Sequence, residues 1–293
     1  MRFLILLTVF MVTHTANANT PRRPFPHGQE DHAPEDEEPR NVQPQDPEEA
    51  IELADRPCTL SFPLWLKRQN PPDPHPTRAN GYRFQAELMQ RMGEIMTEWP
   101  GLIRAQCIGR SVRRSPIWSF SIANPTIPTR YTVLVFAQLH ALEWLGPEVV
   151  LELAETLTES APLGVRVVLV PVSNPDGRAR VESDLLNDRI GVYRRANAHG
   201  IDLNRDWAVN RDIQSTWANL PLTDRYYYTS PAPLSQPESK ALDALAEDIQ
   251  PDAVVSLHSF GGYIYYPWGG LRVDAPDKDE LHRLAEVMLK AQS

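Results

Sequence analysis

Only two cysteines, Cys58 and Cys107, occur in the 293 residues. That excludes a disulfide-dense scaffold and a four-cysteine zinc site. Positive charge is also short: 29 lysines and arginines face 38 acidic residues, for a formal net charge of −9. Such a balance argues against nucleic acid or an anionic membrane as the main partner. Long apolar runs are missing as well. The most pronounced, Phe3–Val12, has ten residues, too few to span a bilayer as a stable helix. What is present is a hydrophobic content of 42%, near that of globular proteins. It is enough for a sizeable core in one large α/β domain or two small ones.

Met1-Arg2 supplies a short positive start, Phe3–Val12 the apolar stretch, and Ala16-Asn17-Ala18 a small-x-small cleavage site. This is the pattern of a signal peptide over residues 1–18, set against the alternative of a buried N-terminal strand. No cysteine follows the run, which argues against a lipid-anchored start. The expected location is therefore secreted or periplasmic. Export permits a Cys58–Cys107 disulfide, with two separately buried thiols as an equal alternative. Residues 19–57 hold eight prolines and eleven acidic residues against four arginines, a local charge of −7. Such a stretch cannot bury enough apolar surface to offset its ordering entropy and reads as a disordered acidic segment. The folded domain is expected over residues 58–293, without internal repeats.

Within it, Phe84, Leu88, Met92 and Ile95 recur at helical spacing, which predicts a helix over 82–98. Residues 105–109 and 116–122 read as short strands. Tyr131–Ala137 is a continuous apolar run rich in β-branched residues, the mark of a strand covered on both faces, and Val165–Val172 and Ala253–Leu257 read as two further buried strands. Pro147, Val150, Leu153 and Leu157 mark another helix. Ser235 with Glu238 forms a capping-box pattern, and Asp277 with Glu280 opens a last helix striped by Leu281, Leu284 and Met288. Asn174-Pro175-Asp176-Gly177 is a turn signal. Alternating strands and helices predict a single α/β domain, with a mixed, mostly parallel central sheet covered by helices on both faces.

Chemistry gathers at the strand ends. Three residues past one central run comes His140-Ala141-Leu142-Glu143-Trp144, and directly after another comes His258-Ser259. Ligand sites in open α/β sheets lie beyond the carboxyl ends of strands. Two histidines and a carboxylate match the open three-ligand zinc set. A lone histidine there is more often structural, and Glu143 alone could be a helix-start charge. The joint placement favours the metal. Between them lie Tyr193-Arg194-Arg195 and Asp202-Leu203-Asn204-Arg205-Asp206-Trp207. Guanidinium groups here are either solvated surface charge or a bidentate grip on a carboxylate.

Together these motifs resemble the zinc metallocarboxypeptidases of the carboxypeptidase A type, peptidase family M14. His140-x-x-Glu143-Trp144, Asn174-Pro175-Asp176-Gly177, Asn204-Arg205 and His258-Ser259 stand in family order. Ile108-Gly109-Arg110-Ser111 followed by Pro116-Ile117 resembles the family's early strand pair. The resemblance implies one Zn2+ per chain held by His140, Glu143 and His258, which would activate water for attack on the scissile carbonyl. Arg194 would stabilise the oxyanion, Asn204 and Arg205 would hold the substrate's terminal carboxylate, and Ser259 would line the substrate groove. Peptide or protein C-termini would be the substrates, with no nucleic acid, no stable membrane association and a monomeric state.

Two features depart from the family pattern. Leu142 stands where many relatives carry a substrate-contacting arginine. No acid after His258 among Asp274, Asp277, Asp279, Glu280 and Glu286 fits the downstream general-base glutamate, since capping and solvent exposure account for them. The expectation is a C-terminally incomplete carboxypeptidase domain that hydrolyses peptides weakly or not at all. The alternatives are a murein-peptide amidase and a non-catalytic zinc-dependent peptide-binding relative.

Overall fold

The computed structural model describes residues 5–11, 58–69, 81–189, 194–209, 229–259, 261–268 and 273–291. In chain order these form β1 (Ile5–Met11), α1 (Phe62–Leu66), α2 (Gln85–Glu98), β2 (Ile103–Arg110), β3 (Pro116–Ile122), β4 (Tyr131–Ala137) and α3 (Leu145–Glu159). Then follow β5 (Val165–Val170), α4 (Pro175–Leu186), a 3₁₀ turn (Leu203–Arg205), α5 (Pro237–Ile249), β6 (Ala253–Ser259), β7 (Tyr263–Tyr265) and α6 (Lys278–Lys290).

The strands make one sheet in the order β2-β3-β5-β4-β6-β1-β7. The pairs β5–β4, β4–β6 and β6–β1 are parallel, while β2–β3, β3–β5 and β1–β7 are antiparallel. Alternate side chains of the central strands feed two separate cores. Val135, Ala137, Val167, Leu169 and Leu257 pack with Leu88, Met92 and Ile95 of α2 and Val150, Leu151 and Ala154 of α3. Their neighbours Leu134, Phe136, Val168, Val170 and Val254 pack with Ala241, Leu242 and Leu245 of α5. Burial on both faces is the physical reason those strands are predominantly apolar rather than alternating.

Cys58 and Cys107 form a disulfide with their Cα atoms 5.4 Å apart, resolving the choice the sequence left open. It ties the segment before α1 to β2. Phe62 of α1 meets Trp118 at 5.0 Å and Phe120 at 4.9 Å, both edge to face. Gly109 follows an irregularity in the β2–β3 register. A side chain there would lie 2.6 Å from the Ala241 Cβ, so glycine is what lets α5 approach β2.

Several local expectations shift. The helix expected from 82 begins at Gln85, because Glu87 reaches back to accept the Phe84 N–H at 2.8 Å and fixes Phe84 as the cap. The capping box at Ser235 and Glu238 does not form. The cap of α5 comes instead from Asp206, which accepts the Ser235 and Gln236 N–H groups at 3.1 and 2.9 Å. Asp277 does sit at the N-cap of α6, but without a side-chain cap bond. Asn174-Pro175-Asp176-Gly177 opens a helix rather than a turn: Asn174 Oδ1 accepts the Gly177 N–H at 3.0 Å. A Cβ at Gly177 would come within 2.8 Å of three atoms of the Asn174 amide.

Ile5–Met11, part of the run expected to be a signal peptide, is extended and pairs with β6 from Ile5 opposite Ala253 to Met11 opposite Ser259. The acidic segment expected over 19–57 lies outside the described residues. No helix among the described residues is long and apolar enough to cross a membrane.

Glu238, freed from capping, is fully buried. It accepts the Val112 N–H at 3.2 Å and the Asn197 Nδ2–H at 3.1 Å, joining α5 to two loops. Burial, helped by the nearby Asp176 charge, pushes its carboxyl above the usual range. A carboxyl with a higher pKa folded than unfolded binds more protons in the folded state. Its contribution is therefore fully present below the unfolded pKa and is lost as pH rises through the folded value. Glu238→Gln should flatten the fall in unfolding free energy from mildly acidic to neutral pH, measured by urea titration. An unchanged slope would count against this assignment.

Candidate metal centre

The site begins where β4 ends. Gln138 takes a left-handed backbone (φ 57°), a conformation that is costly for a residue with a side chain and needs support from its surroundings. The support is dense. Gln138 Nε2 and Trp144 Nε1 both donate to the Ala141 carbonyl, at 3.2 and 3.1 Å. Asn174 Nδ2 donates to the Leu139 carbonyl at 3.1 Å, and the Ala141 N–H donates to the Arg195 carbonyl at 3.0 Å. The 138–144 turn is thus pinned from three directions.

The parallel pairing of β4 with β6 places Ala137 opposite Leu257, so both chains leave the sheet side by side. His140, Glu143 and His258 are all buried. His140 Nδ1 lies 2.8 Å from Glu143 Oε1, His258 Nδ1 lies 2.9 Å from Glu143 Oε2, and the two Nδ1 atoms are 3.0 Å apart. The ligand-type atoms of all three residues fall within 4.8 Å of one another. Two imidazole nitrogens facing each other beside a carboxylate form a donor set that fits a divalent metal. The far nitrogens are also engaged: His140 Nε2 lies 3.1 Å from Asp202 Oδ1, and His258 Nε2 lies 3.1 Å from Ser256 Oγ. Such outer partners fix ring orientation in metal sites.

The electrostatics agree. Burial works to raise the Glu143 carboxyl, but hydrogen bonds to His140 and His258 outweigh it and hold it at about 2. Burial likewise opposes the Asp202 charge, yet His140, Arg195 and Arg205 bring it well below the usual carboxylate range. Burial lowers the His258 imidazole, with Glu143 pulling the other way. A charged carboxylate beside an imidazole resistant to protonation is what a cation needs.

Of the other expected site residues, Asn204 and Arg205 lie on the 3₁₀ turn that Asp202 caps, with the Asn204 N–H donating to Asp202 Oδ1 at 2.9 Å. Ser259 ends β6 with its hydroxyl buried and without a hydrogen-bond partner among the described residues. Arg194 lies away from the His–Glu–His cluster. Its guanidinium is held by Asp184 at the far end of α4. Arg195 joins the cluster instead, with Nε donating to Asp202 Oδ2 at 2.9 Å and Nη1 3.6 Å from Glu143 Oε1. Sequence reasoning also missed Asp202 and Ser256. The usable signal was chemical: a ligating histidine nearly always places its other nitrogen on a fixed acceptor. The acids after His258 lie outside the cluster. Asp274 pairs with Lys278, Glu280 with Arg283, and Glu286 with Lys290.

An α/β sheet that brings two imidazoles and a carboxylate to one buried point gives a donor set of the kind that zinc enzymes use. The model of the zinc carboxypeptidase family matches residues 88–293, and the chain belongs to that family. It is 27% identical over 219 residues to mouse carboxypeptidase A2, covering 70% of this chain and 51% of that protein. It is 25% identical over 244 residues to carboxypeptidase SOL1 of Arabidopsis thaliana, covering 77% of this chain and 44% of that protein. The chain thus spans about half the length of these relatives. Among solved structures, carboxypeptidase A from Helicoverpa armigera shares the fold with a TM-score of 0.59 at 20% identity, covering 83% of this chain and 60% of that one. Bovine thrombin-activatable fibrinolysis inhibitor shares it with a TM-score of 0.58 at 21% identity, covering 70% of each chain.

Proposed function

We propose that the chain is a zinc metallocarboxypeptidase that acts on the C-terminal residues of peptides. The observation that carries this reading is the convergence of His140, Glu143 and His258 within 4.8 Å, with Asp202 linking that cluster to Asn204 and Arg205. Zinc, held by those three residues, would supply a Lewis acid that activates water and polarises the peptide carbonyl.

The chain's own groups account for the remaining roles. Arg194 is the residue the resemblance assigns to oppose negative charge developing on the carbonyl oxygen, and the 3.6 Å from Arg195 Nη1 to Glu143 supports Arg195 in that role instead. Arg205 is suited to fork onto the substrate's terminal carboxylate, with Asn204 beside it. Ser259, at the end of the strand that delivers His258, is suited to line the groove. A secreted or periplasmic location is supported by the Cys58–Cys107 disulfide, since such bonds persist in oxidising compartments.

The test is binding of one peptide in two forms, with a free and with an amidated C-terminus, by calorimetric titration. Loss of charge-assisted hydrogen bonds should weaken the amidated form by about 10–100-fold. Arg205→Lys should weaken the free-acid form, because an ammonium cannot reproduce the planar fork. Equal binding of the two forms would point to an endopeptidase or an amidase and overturn the reading.

A further inference from the structure

Arg178 is an unusual residue to bury. Its side chain lies on the first turn of α4, 1% exposed. A guanidinium taken out of water needs partners for its donors. Nε donates to Glu182 Oε1 at 2.7 Å and Nη2 to the Arg83 carbonyl, while Nη1 has no hydrogen-bond partner among the described residues. What the guanidinium does have is the ring of Trp144, whose centroid lies 3.3 Å from its Cζ. A cation over a desolvated indole face is attracted by the ring quadrupole.

Trp144 directly follows Glu143. Its Nε1 donates to the Ala141 carbonyl at 3.1 Å, so the indole closes the turn that carries both His140 and Glu143. Phe84 and Tyr82 pack on it in T-shaped contacts with centroids at 6.0 and 6.5 Å. The helix that presents Arg178 is itself fastened to the same turn, through Asn174 Nδ2 on the Leu139 carbonyl. The stack, the indole bond and the asparagine bond therefore form one clamp.

We infer that Arg178 is a positioning residue for Glu143: by stacking on Trp144 it holds the carboxylate in the place where it ligates metal. The inference rests on the metal reading above. A ring freed from the guanidinium can turn, break its bond to Ala141 and let Glu143 wander.

The experiment uses the full chain as wild type, Arg178→Ala, Arg178→Lys and Trp144→Phe. Zinc affinity is measured by competition with a chromophoric chelator, alongside the visible spectrum of the cobalt(II)-loaded protein. Arg178→Ala and Trp144→Phe should each weaken zinc binding by about 10-fold, the lower end of the range for losing a group bonded directly to a ligand, since both act through the turn. The cobalt(II) bands should shift with them. Arg178→Lys keeps a cation over the ring without the planar fork, and should recover part of the affinity. Should Arg178→Ala not fold, Arg178→Lys and Trp144→Phe carry the test. A merely structural role would lower the melting temperature of the metal-free protein but leave zinc affinity and the cobalt(II) spectrum at wild-type values. That result overturns the inference alone. A wild-type chain that takes up no zinc overturns the metal reading and this inference together.

Discussion

Alanine at both His140 and His258 is expected to take zinc from about one ion per chain to near none, measured by elemental analysis of dialysed protein. Of the single variants, His258→Ala strands the Ser256 hydroxyl and takes one partner from Glu143, which keeps His140. His140→Ala also removes a partner from the buried Asp202, leaving it to Arg195 and the Asn204 N–H. The loss should appear in stability too. Zinc present at about 1,000 times its dissociation constant stabilises a folded chain by about 4 kcal/mol. Melting temperatures with and without zinc should therefore separate for the wild type and coincide for the double variant. Full zinc occupancy in the double variant would remove the assignment.

The second large effect is expected at the disulfide. Serine at both Cys58 and Cys107 opens a loop with a sequence separation of 49. Loop-closure entropy for that length gives a loss of about 4 kcal/mol, or roughly 8–16 °C in melting temperature for a domain of this size. The cost should concentrate at α1. Phe62 and Trp65 are held against Trp118 there, and once the covalent tie is gone their segment can leave without the sheet unfolding. Thermal melts of the double serine variant, and of the wild type with and without reductant, measure this. A change below about 1 kcal/mol would show that the native packing alone fixes the segment.

The central strands were legible because burial on both faces leaves them mostly apolar, with only single polar residues such as Arg166 and Ser256 within them. The His140, Glu143 and His258 cluster was legible for a related reason: polar residues at the ends of such strands have little structural work there. Helix α4 was hidden because the face it buries is Pro175, Asp176, Gly177, Arg178 and Asp184, which shows no apolar period. Its capping asparagine carries the same local chemistry as a turn. The α5 cap was misread because the competing acceptor, Asp206, is about thirty residues upstream and nothing near Ser235 announces it. Arg194 and Arg195 are adjacent and chemically alike. The fold separates them, bringing Asp184 to one and Asp202 to the other.

The pairing of Ala137 with Leu257 also works as a ruler. Along β6 the side chains alternate, Leu257 toward one core and Ser256 with His258 toward the other side. A one-residue insertion or deletion within β6 would turn His258 away from Glu143 while leaving every ligand in the sequence. The convergence of the three side chains is therefore written as much in the spacing of Ala253–Ser259 as in the histidine itself. A variant with all three ligands intact and one residue added before Ser256 would be read by any motif search as competent, yet would have lost the site.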